Sequence, residues 1–410
     1  MTEGSTLLPA KTKPRAAARH PRIHLPRLVE RLKEMANIGR TPAGGCSRLA
    51  LTPEDYQGRA LFSSWCRTFG FDISADEIGN LFVIRPGTDA HRPVVLTGSH
   101  LDTQPNGGMY DGVYGVLSGL EVLQALEEHA IPTKAPIGVA VWTNEEGSRF
   151  RHPALGASVF SGTLPLADAL ALTDRDGVCV QEALKLNPIP VAAPPAVACY
   201  VEAHIEQGPV LEAEQVAIGV VTGIQGARLL EVRLVGQQAH AGTTPRAYRK
   251  DALLAACAAV QSMDRFSASL SDDSRFTVGR LDVRPNSPNT IAGEVSFTID
   301  LRSPKESELD VLETEIRRTI TNLSLESEVN RTLSLSSIDF DREIRNIISK
   351  AAARLHLSYR PIRSGAGHDA YPLATRVPAG MIFIPCKGGL SHHPDEDVSG
   401  PHLQRLSGPA

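Results

Sequence analysis

The chain has 410 residues, 42% of them apolar and 21% charged, with a formal net charge of −4. That length supports a large core and two domains. The absence of a basic stripe and the few aromatics argue against nucleic-acid binding, and no apolar run is long enough to span a bilayer.

In chain order, residues 1–23 are basic and Pro/Ala-rich and lack the apolar stretch of a secretory signal. They read as a flexible tail, with an organelle transit peptide as the other reading. Globular pattern begins near residue 24. Helices are expected over 25–35 and 53–69, the second with Pro53 in its first turn. Strand-like pieces at 71–75 and 80–85 precede the apolar run 94–99, which delivers His100. Beyond Asp111, apolar residues at 113, 116, 117, 120, 123 and 126 have helical spacing, so a helix is expected to begin at the acidic residue. The apolar run 137–143 delivers Glu145-Glu146. Residues 152–198 are less regular, and the proline-rich run 188–195 reads as a surface connection. A further strand, 199–203, delivers His204.

Composition shifts near residue 222. The order from there is strand 228–235, helix 249–263, strands 275–283 and 293–302, helix 305–323 and strand 328–336. This βαββαβ order is that of a ferredoxin-like unit. A helix at 341–355 follows, and the apolar run 381–385 leads through Gly388-Gly389 to His392. The expected fold is therefore α/β. A discontinuous catalytic domain, 24–221 with 335–410, has a mixed central sheet flanked by helices, and a smaller α+β domain, 222–334, is inserted into it.

In α/β sheets, sites collect at the carboxyl ends of strands. Singly, each histidine is an ordinary core or surface residue, Glu145-Glu146 a solvated turn, and Asp111 a helix cap. Jointly, three imidazoles and several carboxylates behind apolar strands point to two divalent ions, and so to a hydrolase. Nitrogen and oxygen donors leave zinc, manganese, cobalt and nickel all open. Asp111 is the candidate bridge. His100 and His204 complete one site, and Glu146 and His392 the other, with His393 as the alternative to His392. Glu145 is the expected general base. Asp102 is placed to take the second N–H of His100 and fix its tautomer. The six cysteines are scattered without a CxxC pair, which fits a reducing cytoplasm.

Several long stretches carry a family resemblance: GSHLDTQPNGGMYDGVYGV (98–116), NEEGSRF (144–150), HIEQGPVLE (204–212), HAGTTP (240–245), PNSPNTIAGEVSFTIDLR (285–302), SGAGHDA (364–370) and GMIFIPCKGGLSHHPDED (380–397). The chain resembles the M20-type metal-dependent amidohydrolases, in the branch of N-carbamoyl-L-amino-acid hydrolases, β-ureidopropionases and allantoate amidohydrolases. The resemblance implies the same two-metal ligand set and Glu145 as base. It further implies that the inserted domain forms a homodimer and closes over a small ureido or amide carboxylate. His240 would then stabilise the oxyanion from the partner subunit. Asn289 and Arg302 would grip the substrate carboxylate, helped by Gln207 and the backbone at Gly367. His204 stands where related peptidases carry a carboxylate, which favours carbamoylase over aminoacylase or dipeptidase chemistry. A non-catalytic binding protein on the same scaffold is the reading from a different class. Arg151–Leu155, Arg246 and Ala292 depart from the usual pattern and bear on side-chain preference.

Overall fold

A computed structural model describes residues 22–398, so the reading of a basic tail falls almost wholly outside the described residues. The described chain opens with α1 (Leu25–Ala36) and α2 (Pro53–Thr68). Thr52 caps α2 by accepting a hydrogen bond from the Asp55 amide, and Pro53 occupies the first turn, where no N–H is needed. The strands β1 (Ile73–Ala75), β2 (Leu81–Arg85) and β3 (Val94–His100) follow, then α3 (Val113–Glu128) and β4 (Ile137–Trp142). Helix α3 is apolar nearly all round and lies under the sheet. Its Leu117, Leu120 and Leu123 are fully buried, each worth about 1.5–3 kcal/mol of hydrophobic stabilisation. Short helices α4 (Leu155–Ser161), α5 (Leu166–Ala171) and α6 (Val180–Ala183) fill the region expected to be irregular. The proline-rich run beyond them is mostly exposed, but Ala75 anchors it through hydrogen bonds with Pro190 and Ala192. Next come β5 (Val197–Ile205), α7 (Val210–Ala213) and β6 (Ile218–Ile224).

The chain then builds a second sheet. Its elements are β7 (Gly226–Val235), β8 (Ala239–His240), α8 (Ala252–Leu270), β9 (Arg275–Thr277), β10 (Leu281–Arg284), β11 (Thr290–Ile291), β12 (Glu294–Ser303), α9 (Glu306–Thr321) and β13 (Glu326–Leu335). It returns through β14 (Ile338–Asp339), α10 (Arg342–Arg354), β15 (Tyr359–Ser364), α11 (Ala370–Leu373) and β16 (Ala379–Ile384).

The first sheet is nine-stranded and mixed, in the order β1-β2-β4-β3-β5-β16-β6-β14, with β15 also paired to β6. Its centre, β4-β3-β5-β16, is parallel throughout, so four carboxyl ends share one edge. One core cluster joins this sheet to α1 and α3, and another covers the opposite face. The second sheet is five-stranded, with β10-β12-β7-β13 in line and β9 paired to β12. Along β12, Val295, Phe297, Ile299 and Leu301 are buried among residues of α8 and α9, while the alternate residues face the other way. A two-stranded ribbon, β8 with β11, stands apart.

Three expectations are corrected. The helix after Asp111 begins at Val113 with Gly112 at its cap, so Asp111 is freed from capping. The strand expected over 275–283 is broken into β9 and β10, which pair with different stretches of β12. The first sheet runs on through Ile224, past the compositional shift at 222, because β6 pairs with β14, β15 and β16.

Candidate metal centre

His100 ends β3, Glu145 and Glu146 follow β4, His204 lies near the end of β5, and His392 lies in the loop beyond β16. The parallel centre of the sheet therefore brings residues from across the sequence to one edge. Asp111 enters from the loop before α3 and faces all of them. Its Oδ1 lies 3.1 Å from His204 Nε2 and 3.8 Å from His100 Nε2. Its Oδ2 lies 3.3 Å from His392 Nε2, which is itself 3.4 Å from Glu146 Oε2. The donors thus form two groups, His100-Asp111-His204 and Asp111-Glu146-His392, which share one carboxylate. Four donors placed tetrahedrally at about 2.0–2.1 Å from an ion stand about 3.4 Å apart. The observed separations bracket that spacing, so the donor set fits divalent ions.

The backbone is bent to achieve this. Asn144, Gln207 and His392 all adopt left-handed φ values, of 55°, 57° and 56°. Such conformations cost of order 1 kcal/mol or more each and cluster at functional sites. Asn144 is stabilised in its bend by donating to the Phe150 and His152 carbonyls. Gly112, at φ +67°, is required sterically: a Cβ there would lie 2.3–2.4 Å from the His100 ring.

Second partners set the tautomers. His100 Nδ1 is 2.8 Å from the Asp102 carbonyl and His204 Nδ1 is 2.9 Å from the Ile205 carbonyl, so each donates there and leaves Nε2 as the free ligand atom. This corrects the role expected of the Asp102 side chain. Its carboxylate lies 3.8 Å from His100 Nδ1 and instead accepts the amides of Glu145 and Glu146, so it positions that pair.

The electrostatics are those of a cluster built around positive charge. Burial, then the neighbouring Asp369, Glu146, Asp111 and Asp102, pushes Glu145 well above the usual carboxylate range. Burial and the same crowding by Asp111 and Asp102 raise Glu146. Burial pushes His100 down to about 4, which keeps it neutral as a ligand must be. Burial opposes charge on His204, but the hydrogen bond and field of Asp111 outweigh it and carry the ring up to about 9, so an ion binding at Nε2 would displace a proton.

Sequence reasoning missed a layer beneath the ligands. Glu202 accepts from Ser99 Oγ and the Ala370 amide, and His368 stacks edge-on against His204 at 4.5 Å. Asp369 is fully buried, with no hydrogen-bond partner on either oxygen. Gln104 donates twice to Glu146, and Glu396 accepts the Tyr110 and Asp111 amides. An acidic residue inside the otherwise apolar strand 199–205 was the one available signal, for Glu202.

The residues expected to meet substrate are divided. Gln207 reaches the cluster, donating to Asp111 Oδ2 at 2.9 Å and to Ser391. Arg302 lines a cleft of about 1070 Å³ that also contains His392, but its donors go to the Asp300 carboxylate and the Gly365 carbonyl. Gly367 is exposed, two residues beyond Gly365. His240 and Asn289 are not brought to the cluster. They sit together on the exposed ribbon, where the Ala241 amide donates to the Asn289 carbonyl. The hydrogen bonds of both residues stay within this ribbon and its adjoining turns.

The sequence profile of peptidase family M20/M25/M40 matches residues 96–407. The chain belongs to this family. An N-carbamoyl-L-amino-acid amidohydrolase of Rhizobium meliloti is 42% identical over 386 residues, 92% of each chain. An allantoate amidohydrolase of Bacillus subtilis is 32% identical, over 92% of this chain and 94% of its own. The solved structure of a hydantoinase/carbamoylase-family amidase from Burkholderia multivorans superposes with a TM-score of 0.89 at 40% identity, covering 94% of this chain and 96% of that one. M20 hydrolases use divalent metals, and this M20 chain is an enzyme that hydrolyses C–N bonds of amides, with candidate ligand groups that include His100, Asp111 and His204.

Proposed function

We propose that this M20 enzyme is a di-metal amidohydrolase that removes the carbamoyl group from an N-carbamoyl-L-amino acid, giving the amino acid, CO2 and ammonia. The observation that carries this reading is Asp111, whose two oxygens face separate donor groups. His100, Asp111 and His204 would hold one ion, and Asp111, Glu146 and His392 the other. Bound there, zinc, manganese, cobalt or nickel supplies a Lewis acid that acidifies water and polarises the ureido carbonyl.

Glu145 accepts the proton of the attacking water and passes it to the departing amino nitrogen. Burial and the neighbouring acids raise its pKa, and two dications bound beside it would offset them and leave it ionised to take up the proton. Arg302 and Asn289 grip the substrate carboxylate, helped by Gln207 and the backbone at Gly367. To do so Arg302 gives up the Gly365 carbonyl for substrate while Asp300 continues to hold it. His240, supplied by a second copy of the chain, stabilises the oxyanion. In this reading residues 225–334 are an inserted ferredoxin-like domain that dimerises and closes over the cleft. They divide a catalytic domain made of 24–224 and 335–410. The six unpaired cysteines support a cytoplasmic enzyme.

The Bacillus subtilis relative favours a second reading of the same chemistry, allantoate cleavage, with N-carbamoyl-β-alanine as a third substrate of that kind. Ammonia release from a panel of ureido acids, with metal content measured on the same sample, separates these. N-acyl amino acids and dipeptides in the panel test the aminoacylase and peptidase alternatives. Glu145→Gln is expected to keep its metal and lose about a thousandfold in kcat. Near-normal turnover by that variant removes the assigned base. A chain that binds no metal and releases nothing from the whole panel is a binding protein.

A further inference from the structure

The open face of the second sheet carries an imbalance of charge. The residues of β12 that turn away from α8 and α9 include Thr298, Asp300 and Arg302, and all three line the large cleft. Strand β9 pairs with β12 in a register that sets Thr277 opposite Asp300 and Arg275 opposite Arg302. Arg275 lines the same cleft. Directly opposite side chains have Cβ atoms about 4.5–5.5 Å apart, and like charges in that position repel.

Only one of the two guanidinium groups is neutralised. Arg302 is held on two sides by Asp300, with Nε 2.9 Å from Oδ1 and Nη2 3.1 Å from Oδ2. Arg275 donates to the carbonyls of Asp272 and Ser274 and makes no ion pair among the described residues. Asp273, on the preceding turn, lines the cleft as well but does not pair with Arg275. The other cleft arginines have carboxylate partners, Arg360 with Glu214 and Arg363 with Asp339. The rung and Asp300 therefore present two guanidinium groups, of which Asp300 pairs only one, with the Asp273 carboxylate nearby but unpaired with Arg275.

We propose that Arg275 is a second carboxylate-binding residue, which shares the substrate carboxylate with Arg302. This deepens, and rests on, the hydrolase reading of the cleft. Asp300 holds Arg302 in position and stays beside it. Arg275 supplies the charge that lets a second carboxylate enter next to Asp300. The clamp acts on the end of the substrate that the reaction leaves unchanged, so it contributes binding that is equal in the ground and transition states.

The test uses the full-length, metal-loaded enzyme with N-carbamoyl-L-alanine as substrate and L-alanine as a non-reacting ligand. Arg275→Met keeps the stem and removes the charge, and Arg275→Lys restores it. The Met variant is expected to raise KM about tenfold with kcat within about twofold, and to weaken L-alanine binding in calorimetry by the same factor. The Lys variant recovers part of both. Removing the like-charge rung also raises the melting temperature of the ligand-free Met variant. An unchanged KM and Kd, or a fall in kcat at constant KM, overturns the clamp. If the parent releases no ammonia from this substrate or from the wider ureido panel, the hydrolase reading fails, while L-alanine binding still decides the clamp. A parent that binds no L-alanine overturns it.

Discussion

At the edge of the nine-stranded sheet, Asp102, Asp111, Glu145, Glu146 and Asp369 lie within one another's field, and no arginine or lysine pairs with any of them among the described residues. On the five-stranded sheet, Glu313 takes hydrogen bonds from Arg228, Arg317 and Arg331 at once. Both regions contain buried or half-buried acids, but only the second neutralises them from within the chain. The difference separates two uses of charge. Acids that arginines surround hold elements together, whereas acids left to repel one another are held by the fold for a cation that comes from outside.

The comparison is broken most severely by removing its shared carboxylate. Asp111→Asn is expected to abolish turnover and to lower metal content on gel-filtered protein, because neither donor group remains complete. A variant that retains both ions and activity ends the bridging role. Glu146 must be ionised to bind metal yet is pushed up by burial and by Asp111, so binding releases protons and weakens as pH falls. Calorimetry in buffers of different ionisation enthalpy reads that release directly.

The five-stranded sheet responds in stability instead. Glu313→Gln leaves three arginines short of one acceptor and is expected to cost about 2 kcal/mol in denaturant melts, with kcat/KM unchanged. A loss of activity without a loss of stability would show that the two regions are not separate in this respect. Glu308 gives the smallest effect. The Lys305 ammonium, then the Ser303 hydroxyl, pulls its carboxyl down to about 2. A folded value below the unfolded one means that its stabilisation is complete above about pH 4.5 and is lost as pH falls toward 2. Glu308→Gln should flatten that limb of the acid unfolding curve by less than about 1 kcal/mol.

The histidines and glutamates of the cluster were legible because each follows a short apolar run, and parallel strands put such ends on one edge; Asp111 was legible as the acid in the loop that opens a helix. His100, Glu146 and His204 needed nothing more than that pattern. Glu145 was legible as the neighbour of Glu146. The supporting layer was not. Glu396 meets the amides of Tyr110 and Asp111 across 285 residues or more of chain, a contact that no local pattern encodes. Asp369 looks like any acid in a glycine-rich loop until burial removes all its partners. Asp102 was read as a partner of its neighbouring histidine, but its backbone carbonyl fills that role and frees the side chain to hold the following loop. The second sheet was legible in element order, since alternation along β12 is strict. The break between β9 and β10 was not, because it depends on how each piece meets β12.

His392, half-exposed at the cleft, supplies its donor from a turn close to the end of the described residues, whereas the aspartate it faces lies in the first third of the sequence. During synthesis the first trio of donors exists once residue 204 has emerged and folded, but the second trio cannot exist until residue 392 has been made. In the proposed di-metal reading, a polypeptide halted in the 380s would carry the first trio of donors without the second, so the second site depends on the last-made donor, His392.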